Sequence, residues 1–169
     1  GSSMLGVAYG LALSDLVLGP GIPSASARGG GIMYPITQSI ATAYQSEPGP
    51  TARKAGAFLM LCVSQIDAIV CTMFLTAMAG NPLVAELARS QGVEISWTIW
   101  FVGAIVPGIA SLILLPLVLW FFYPPELKKT PEIPGIARQE LSKMGPMSLA
   151  EKILALDFVL LILLWTVDR

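Results

Sequence analysis

SDLVLGPGIPSASARGGGIMYP, residues 14–35, decides how this chain folds. An apolar run, Met4–Leu18, precedes its turn residues, and a second one, 32–44, follows them. A helix that crosses a bilayer needs roughly 20 consecutive apolar residues, so neither run crosses alone. Gly19, Pro20, Gly21, Pro23 and Gly29-Gly30-Gly31 lie between them, residues that end one helix and begin another. Two half-length helices joined at such a tip read as a re-entrant hairpin. Bare backbone at membrane depth is tolerated only where protein buries it or where it lines a watery cavity. Interrupted hydrophobic segments are also the best sequence pointer to a transporter's site. The plainer alternative is a Gly/Pro loop between two core helices.

The tip has chemistry suited to an anion. Free N–H groups at the start of the second half-helix carry partial positive charge. Ser24 and Ser26 supply hydroxyls, the three glycines allow close approach to the backbone, and Arg28 puts a fixed charge where charge is costly.

Composition points to a membrane by a separate route. Of 169 residues, 54% are hydrophobic and only 12% charged, with a mean hydropathy of +0.71. Soluble domains carry about 25% charged residues. The net charge of -1 leaves no basic footprint for nucleic acid. The absence of histidine removes the usual general base and the commonest metal ligand. No Gly-Lys-Ser/Thr follows the glycines, no strand precedes them, and no Cys/His cluster occurs, so neither a catalytic constellation nor a metal site is expected. Cys62 and Cys71 lie nine apart on one apolar run, on opposite sides of a helix, which excludes a disulfide within it and makes them small apolar fillers.

The remaining chain divides by its breakers. Residues 1–44 form the hairpin, and the polar loop 45–54 follows. Residues 55–91 read as one transmembrane helix broken at Ala79-Gly80-Asn81-Pro82, with the apolar run 55–79 ahead of the break. Asp67 sits near the middle of that run. It is expected to face the bundle, near Ser64 or Gln65, and with Arg28 it is a candidate for ion coupling. Pattern alone makes Gly80-Asn81-Pro82 a helix C-cap. Residues 92–123 form a further span, with Trp97 and Trp100 at one end, Trp120 and Tyr123 at the other, and kinks expected at Pro107 and Pro116. The polar linker 124–152 carries an amphipathic helix through Ile136, Leu141 and Met144, stopped by Gly145, and Ser148–Glu151 is a capping box. Residues 153–169 read as the cut start of another span. Arg53, Lys54, Lys128, Lys129, Arg138, Lys143 and Lys152 fall on the side the hairpin enters from, against Arg89 opposite, so that side is expected to be cytoplasmic. The fold class expected is therefore all-α: a polytopic membrane fragment with a re-entrant hairpin, a broken transmembrane helix and two further transmembrane segments.

The run DLVLGPGIPSASARGGGIMYPI resembles the first hairpin of the divalent anion:sodium symporter (DASS) family, in the branch of 2-oxoglutarate/malate translocators and citrate or tartrate/succinate exchangers. MFLTAMAGNPL and the blocks from EISW to ELSKMGPMS extend the likeness in order and spacing over nearly the whole chain. The resemblance implies elevator-type transport of di- or tricarboxylates by a homodimer, and no enzyme activity. It implies no cofactor other than a sodium ion for coupling. The lipid bilayer and the remainder of the transporter chain are the implied partners, in a bacterial inner membrane or a plastid envelope. It places the substrate and ion site at Ser24, Ala25, Ser26, Ala79, Gly80 and Asn81, turning the Gly-Asn-Pro break into the second half of that site. The family's tip signature is Ser-Asn-Thr, whereas this chain has Ser24-Ala25-Ser26, and Ala25 offers no amide to a carboxylate. The alternatives are another ion transporter of the same hairpin plan (arsenite or sodium/proton exchange) and a membrane scaffold subunit. In the leading reading the two breaks share one polar cavity and lie within roughly 15 Å, half a bilayer core.

Overall fold

A computed structural model describes residues 3–131 and 133–167, with the side chains of Ile133, Pro134, Ile136 and Glu140 outside the description. Among the described residues the chain is all-helical, and its one β-type pairing is an isolated bridge between Ser3 and Lys129. The helices are α1 (Met4–Leu18), α2 (Tyr34–Ala43), α3 (Gly56–Met73), α4 (Gly80–Ser90), α5 (Trp97–Phe122), α6 (Ile133–Met144) and α7 (Leu149–Val167). A π-helical stretch, Ser26–Met33, runs directly into α2.

α1 starts beside the polar linker. Ser3 Oγ accepts from the Gly6 N–H, and the Met4 N–H donates to the Lys128 carbonyl. The chain turns at residues 19–24, and the π-helical stretch and α2 bring it back. Ser46 then closes the base. Its hydroxyl oxygen accepts from the N–H groups of Ala55 and Gly56 and lies 2.9 Å from the Thr51 carbonyl it donates to. A serine ten residues upstream thus does for α3 what an N-cap residue does locally. Arg53 and Lys54 carbonyls accept from Glu126 and Leu127, so the polar stretches on either side of α3 and α5 meet at one end. The hairpin enters and leaves at that same end, which makes it re-entrant.

α3 and α5 are long and apolar enough to cross a membrane; α1 is apolar but short. At 1.5 Å per residue α5 is roughly 39 Å long, more than a hydrocarbon core. It stays one helix through Pro107 and Pro116. Proline leaves a carbonyl of the preceding turn without its donor, and next to that gap the Tyr9 hydroxyl donates to the Ile113 carbonyl at 2.7 Å. The core lies between α1, the π-helical stretch, α3 and one face of α5, around Met4, Met33, Phe58, Leu59, Ile66, Val70 and Met73. Close approach depends on small residues. A Cβ on Gly108 would stand 2.5 Å from Met73 Cγ, and one on Gly19 2.5 Å from Val70 Cγ1. The opposite face of α5, including Val102, Val106, Phe121 and Phe122, is exposed, as apolar side chains are when lipid or further protein is their solvent.

Two expected boundaries move. The first break spans 19–24, and Gly29-Gly30-Gly31 lie inside helix. Without Cβ atoms they let the coil widen, so that Tyr34 N–H reaches the Gly29 carbonyl five residues back. The second break spans 74–79, because α3 ends at Met73; Gly80, Asn81 and Pro82 open α4 and do not end α3. Further along, Gly145 takes φ +71° after α6, and Ser148 and Glu151 bond reciprocally at the start of α7. Leu141 and Met144 are exposed; Ile136, expected on the same face, lies outside the described side chains.

Ser46→Ala removes an acceptor for two buried N–H groups. The variant is expected to lose about 1–2 kcal/mol of stability, read as a lower thermal midpoint in detergent with unchanged helix content.

Candidate functional site

One buried side chain bonds to both breaks. Arg28, on the π-helical stretch, is completely buried. Its Nε donates to Asp15 Oδ1 of α1 at 2.7 Å. Nη1 donates to the Ile22 carbonyl in the first break at 3.2 Å and to the Ala77 carbonyl in the second at 3.4 Å. Nη2 points at Cys71 Sγ, 3.0 Å away, and stands 2.8 Å from Asp67 Oδ1 of α3 as a charge pair off the hydrogen-bond line. Two breaks whose carbonyls accept from the same nitrogen are a few ångströms apart at that point, well inside the separation a shared site allows. A planar guanidinium has five N–H donors in a fixed fork, which lets one residue bridge four chain segments where lysine could not.

A second connection runs parallel. Trp97 Nε1 donates to Thr76 Oγ1 at 3.2 Å, and Thr76 Oγ1 donates to the Pro20 carbonyl at 3.1 Å. Trp97, Phe74 and Phe101 stack with centroids 5.4–6.1 Å apart, and Trp100 Nε1 donates to the Thr72 carbonyl at 2.9 Å. The indoles expected as an interfacial belt thus also give their N–H groups to the second break (Trp97) and to the end of α3 (Trp100).

The expected site residues divide. Asn81 is buried, and its amide nitrogen donates to the Cys71 and Phe74 carbonyls at 2.7 and 2.9 Å. It caps the end of α3 from within α4. The break therefore offers fewer free carbonyls to a cation than its sequence suggests. Those of Cys71, Thr72, Phe74, Ala77 and Met78 all accept from the protein. Ser24 caps the second half-helix: its Oγ accepts from the Ala27 N–H and its carbonyl from the Arg28 N–H. Ala25 begins that helix half-buried, Ser26 and Ala79 are exposed, and Gly80 is half-buried. The contacts that join the two breaks come instead from Pro20, Ile22, Thr76, Ala77 and Arg28.

Asp67 faces the bundle as expected, with its side chain 16% exposed, but its partner is Arg28. Ser64 and Gln65 are exposed, and Ser64 Oγ bonds back to the Leu61 carbonyl. The reason is position: Asp67 and Cys71 are four apart and share the face toward the hairpin. Gly29 makes this possible, since a Cβ there would stand 3.0 Å from Asp67 Oδ2. That glycine gives room to the protein's own carboxylate. Cys71 is likewise more than a filler, since its sulfur lies on the guanidinium, whereas Cys62 is buried in the core. Asp15 was missed. It is 1% exposed, and the cost of an acid inside the apolar run Met4–Leu18 was a signal for it.

A cavity of about 400 Å³ opens beside the second break, lined by Leu75, Thr76, Pro82, Glu86, Arg89 and Trp97 among others. None of Ser24, Ala25, Ser26, Ala79, Gly80 or Asn81 lines it. Among the described residues no group of His, Cys, Asp and Glu could hold a metal ion by itself.

An all-helical chain with a re-entrant hairpin, a helix interrupted opposite its tip and buried charge between them has the architecture of a polytopic membrane protein. The chain belongs to the family described as the sodium:sulfate symporter transmembrane region, whose model matches residues 1–169. It is part of an integral membrane protein. It is 48% identical over 167 residues to dicarboxylate transporter 1, chloroplastic, of Spinacia oleracea, covering 98% of this chain and 29% of that protein. It is 47% identical to the Arabidopsis thaliana protein of that name, covering 98% and 30%. Against the inner membrane protein YbhI of Escherichia coli it is 42% identical over 170 residues, covering 100% and 35%. The chain thus spans about a third of the length of these relatives.

Arg28→Met leaves the buried Asp15 and the half-buried Asp67 without their cation. Removing one partner of a buried pair costs about 3–5 kcal/mol, so the full-length variant is expected to fail to accumulate in the membrane. Adding Asp15→Asn and Asp67→Asn to the same variant should restore accumulation, measured by fluorescence-detected gel filtration.

Proposed function

We propose that the full protein containing this chain is a secondary transporter of dicarboxylates or tricarboxylates, and that this chain supplies half of its substrate and ion site. The observation that carries the reading is the pair of interrupted helices joined through Arg28, in a chain of this family. The tip faces its ligand with N–H groups at the start of the second half-helix and with the hydroxyl of Ser26; a carboxylate is the anion such donors take. Ala25 starts that helix with a methyl group, so this half binds carboxylate through backbone and hydroxyl alone. Sodium is the coupling ion in this reading. Its oxygen ligands would come from Ser24, Ser26 and the backbone around Ala79 and Gly80, where the break's carbonyls are least engaged.

The ties across the breaks favour an elevator-type cycle. The hairpin, α3 and α5 share one core, the hairpin and α3 share one charge cluster, and Asn81 ties α4 to the end of α3, so they shift as a body, while a scaffold and second hairpin come from the rest of the chain and a second copy completes a dimer. The positive-inside count puts the base of the hairpin in the cytoplasm.

Purified full-length protein in proteoliposomes should take up radiolabelled malate, 2-oxoglutarate, succinate or citrate, driven by a sodium gradient or by internal dicarboxylate. Uptake of none of them, or arsenite or proton exchange in their place, overturns the reading. Ala25→Asn adds a side-chain amide at the tip and is expected to lower the carboxylate KM by roughly tenfold or more, the value of one hydrogen bond to a charged group.

A further inference from the structure

Two carboxylates and one guanidinium share the space between the breaks, which leaves the cluster one positive charge short. We propose that the missing charge is a proton, that Asp67 is the group that takes it, and that its occupancy governs how well an anion binds at the adjoining tip. The second half of this statement rests on the transport reading; the first does not.

Three observations converge. An unbalanced charge inside a membrane protein is costly, and the usual remedies are a partner or neutralisation. Asp15 shows that the cluster is short of a partner: its side chain is 1% exposed, one oxygen is spent on Arg28 Nε, and Oδ2 is buried without a hydrogen bond. Exposure then separates the two acids. Asp15 is sealed from water, whereas Asp67, at 16%, is open enough to exchange a proton, and its contact with Arg28 is a charge pair off the hydrogen-bond line.

A metal ion fits less well. Sodium and calcium take about six oxygen ligands. Here the nearby carbonyls of Ile22, Ala77 and Cys71 already accept from Arg28 or Asn81, and a guanidinium nitrogen 2.8 Å from Asp67 Oδ1 occupies the side from which a cation would come. The charged and titratable groups around Asp67 are Arg28 on the π-helical stretch, Asp15 on α1 and Cys71 on α3 itself. α5, packed on the other side of α3, contains no ionisable residue.

The step is a simple one. A proton from the aqueous phase converts the Asp67 carboxylate to a carboxylic acid, and Arg28 then balances Asp15 one for one. The cluster passes from net negative to neutral. Since Arg28 Nη1 touches the tip at the Ile22 carbonyl, the repulsion a dianion meets at the tip falls with it. Proton binding and anion binding then favour each other, and linkage makes the effect reciprocal.

The test uses the full-length transporter in proteoliposomes. For wild type, KM for malate, expressed as the dianion, should fall as the pH is lowered, by up to roughly tenfold per unit for one linked proton. In Asp67→Asn it should be low and flat with pH, while Asp67→Glu should retain a pH dependence. A wild-type KM that does not change with pH, or an Asp67→Asn profile that follows wild type, overturns the link to binding. A separate readout is the infrared band of a protonated carboxyl group in reconstituted membranes. It should grow as the pH falls in wild type and be lost in Asp67→Asn. Absence of that band in wild type overturns the proton site. Its presence with no uptake of any carboxylate overturns the transport reading and leaves the proton site standing. If Asp67→Asn does not fold, the wild-type KM profile and band decide the two halves by themselves.

Discussion

The Arg28 guanidinium is the constraint on which the rest of this structure depends. It sits without solvent between α1, the hairpin tip, α3 and the second break. A charge so placed is tolerated only when it is paired and hydrogen-bonded, and here four hydrogen-bond acceptors and a second carboxylate surround it. Each constrains something else. Asp15 must lie inside an apolar helix, and Asp67 must face inward. Gly29 must lack a side chain, and both breaks must turn a carbonyl toward one nitrogen.

Such an arrangement resolves a conflict inherent in interrupted helices. A break at membrane depth exposes carbonyls that must be paired, yet a transporter needs backbone within reach of its ligand. The protein divides the tasks. Asn81, Arg28 and Trp100 satisfy carbonyls at the end of α3 and in the break, and Thr76 satisfies the Pro20 carbonyl at the tip. What stays less engaged lies to one side: the start of the second half-helix at Ala25 and Ser26, and the exposed Ala79. In the proposed reading, binding groups there would rest on a frame that does not itself need the ligand for its hydrogen bonds.

The frame also ties the half-length hairpin into a larger packed body. α1 is too short to cross a bilayer and has little helix-stabilising chemistry of its own beyond the Ser3 cap. Its stability comes from packing on α3 and α5 and from its acid at Arg28. Moving the hairpin away from α3 would break a buried ion pair and strip the apolar contacts of Val70 and Phe74 from Gly19. A rigid shift of all these helices against other parts of the protein breaks neither.

Much of this was legible in the residues alone. Apolar run lengths and Gly/Pro placement determine two half-helices, a turn near Pro20, two spans and an interruption before Pro82, because a bilayer imposes fixed lengths and unpaired backbone is costly in it. Charge cost alone marks Arg28 and Asp67, and would have marked Asp15. What only the tertiary structure decided is which groups pair. Helical periodicity shows that Asp67 and Cys71 share a face, but not that an arginine thirty-nine positions earlier fills the space before it. Nor could local pattern reveal that Asn81 caps the preceding helix from inside the next one, which moves the break to 74–79, or that Gly29 makes room for a carboxylate and not a ligand. Periodicity and propensity act within a turn or two of helix. A buried charge chooses its partners from whatever the fold brings within hydrogen-bonding reach, and that choice spans the chain.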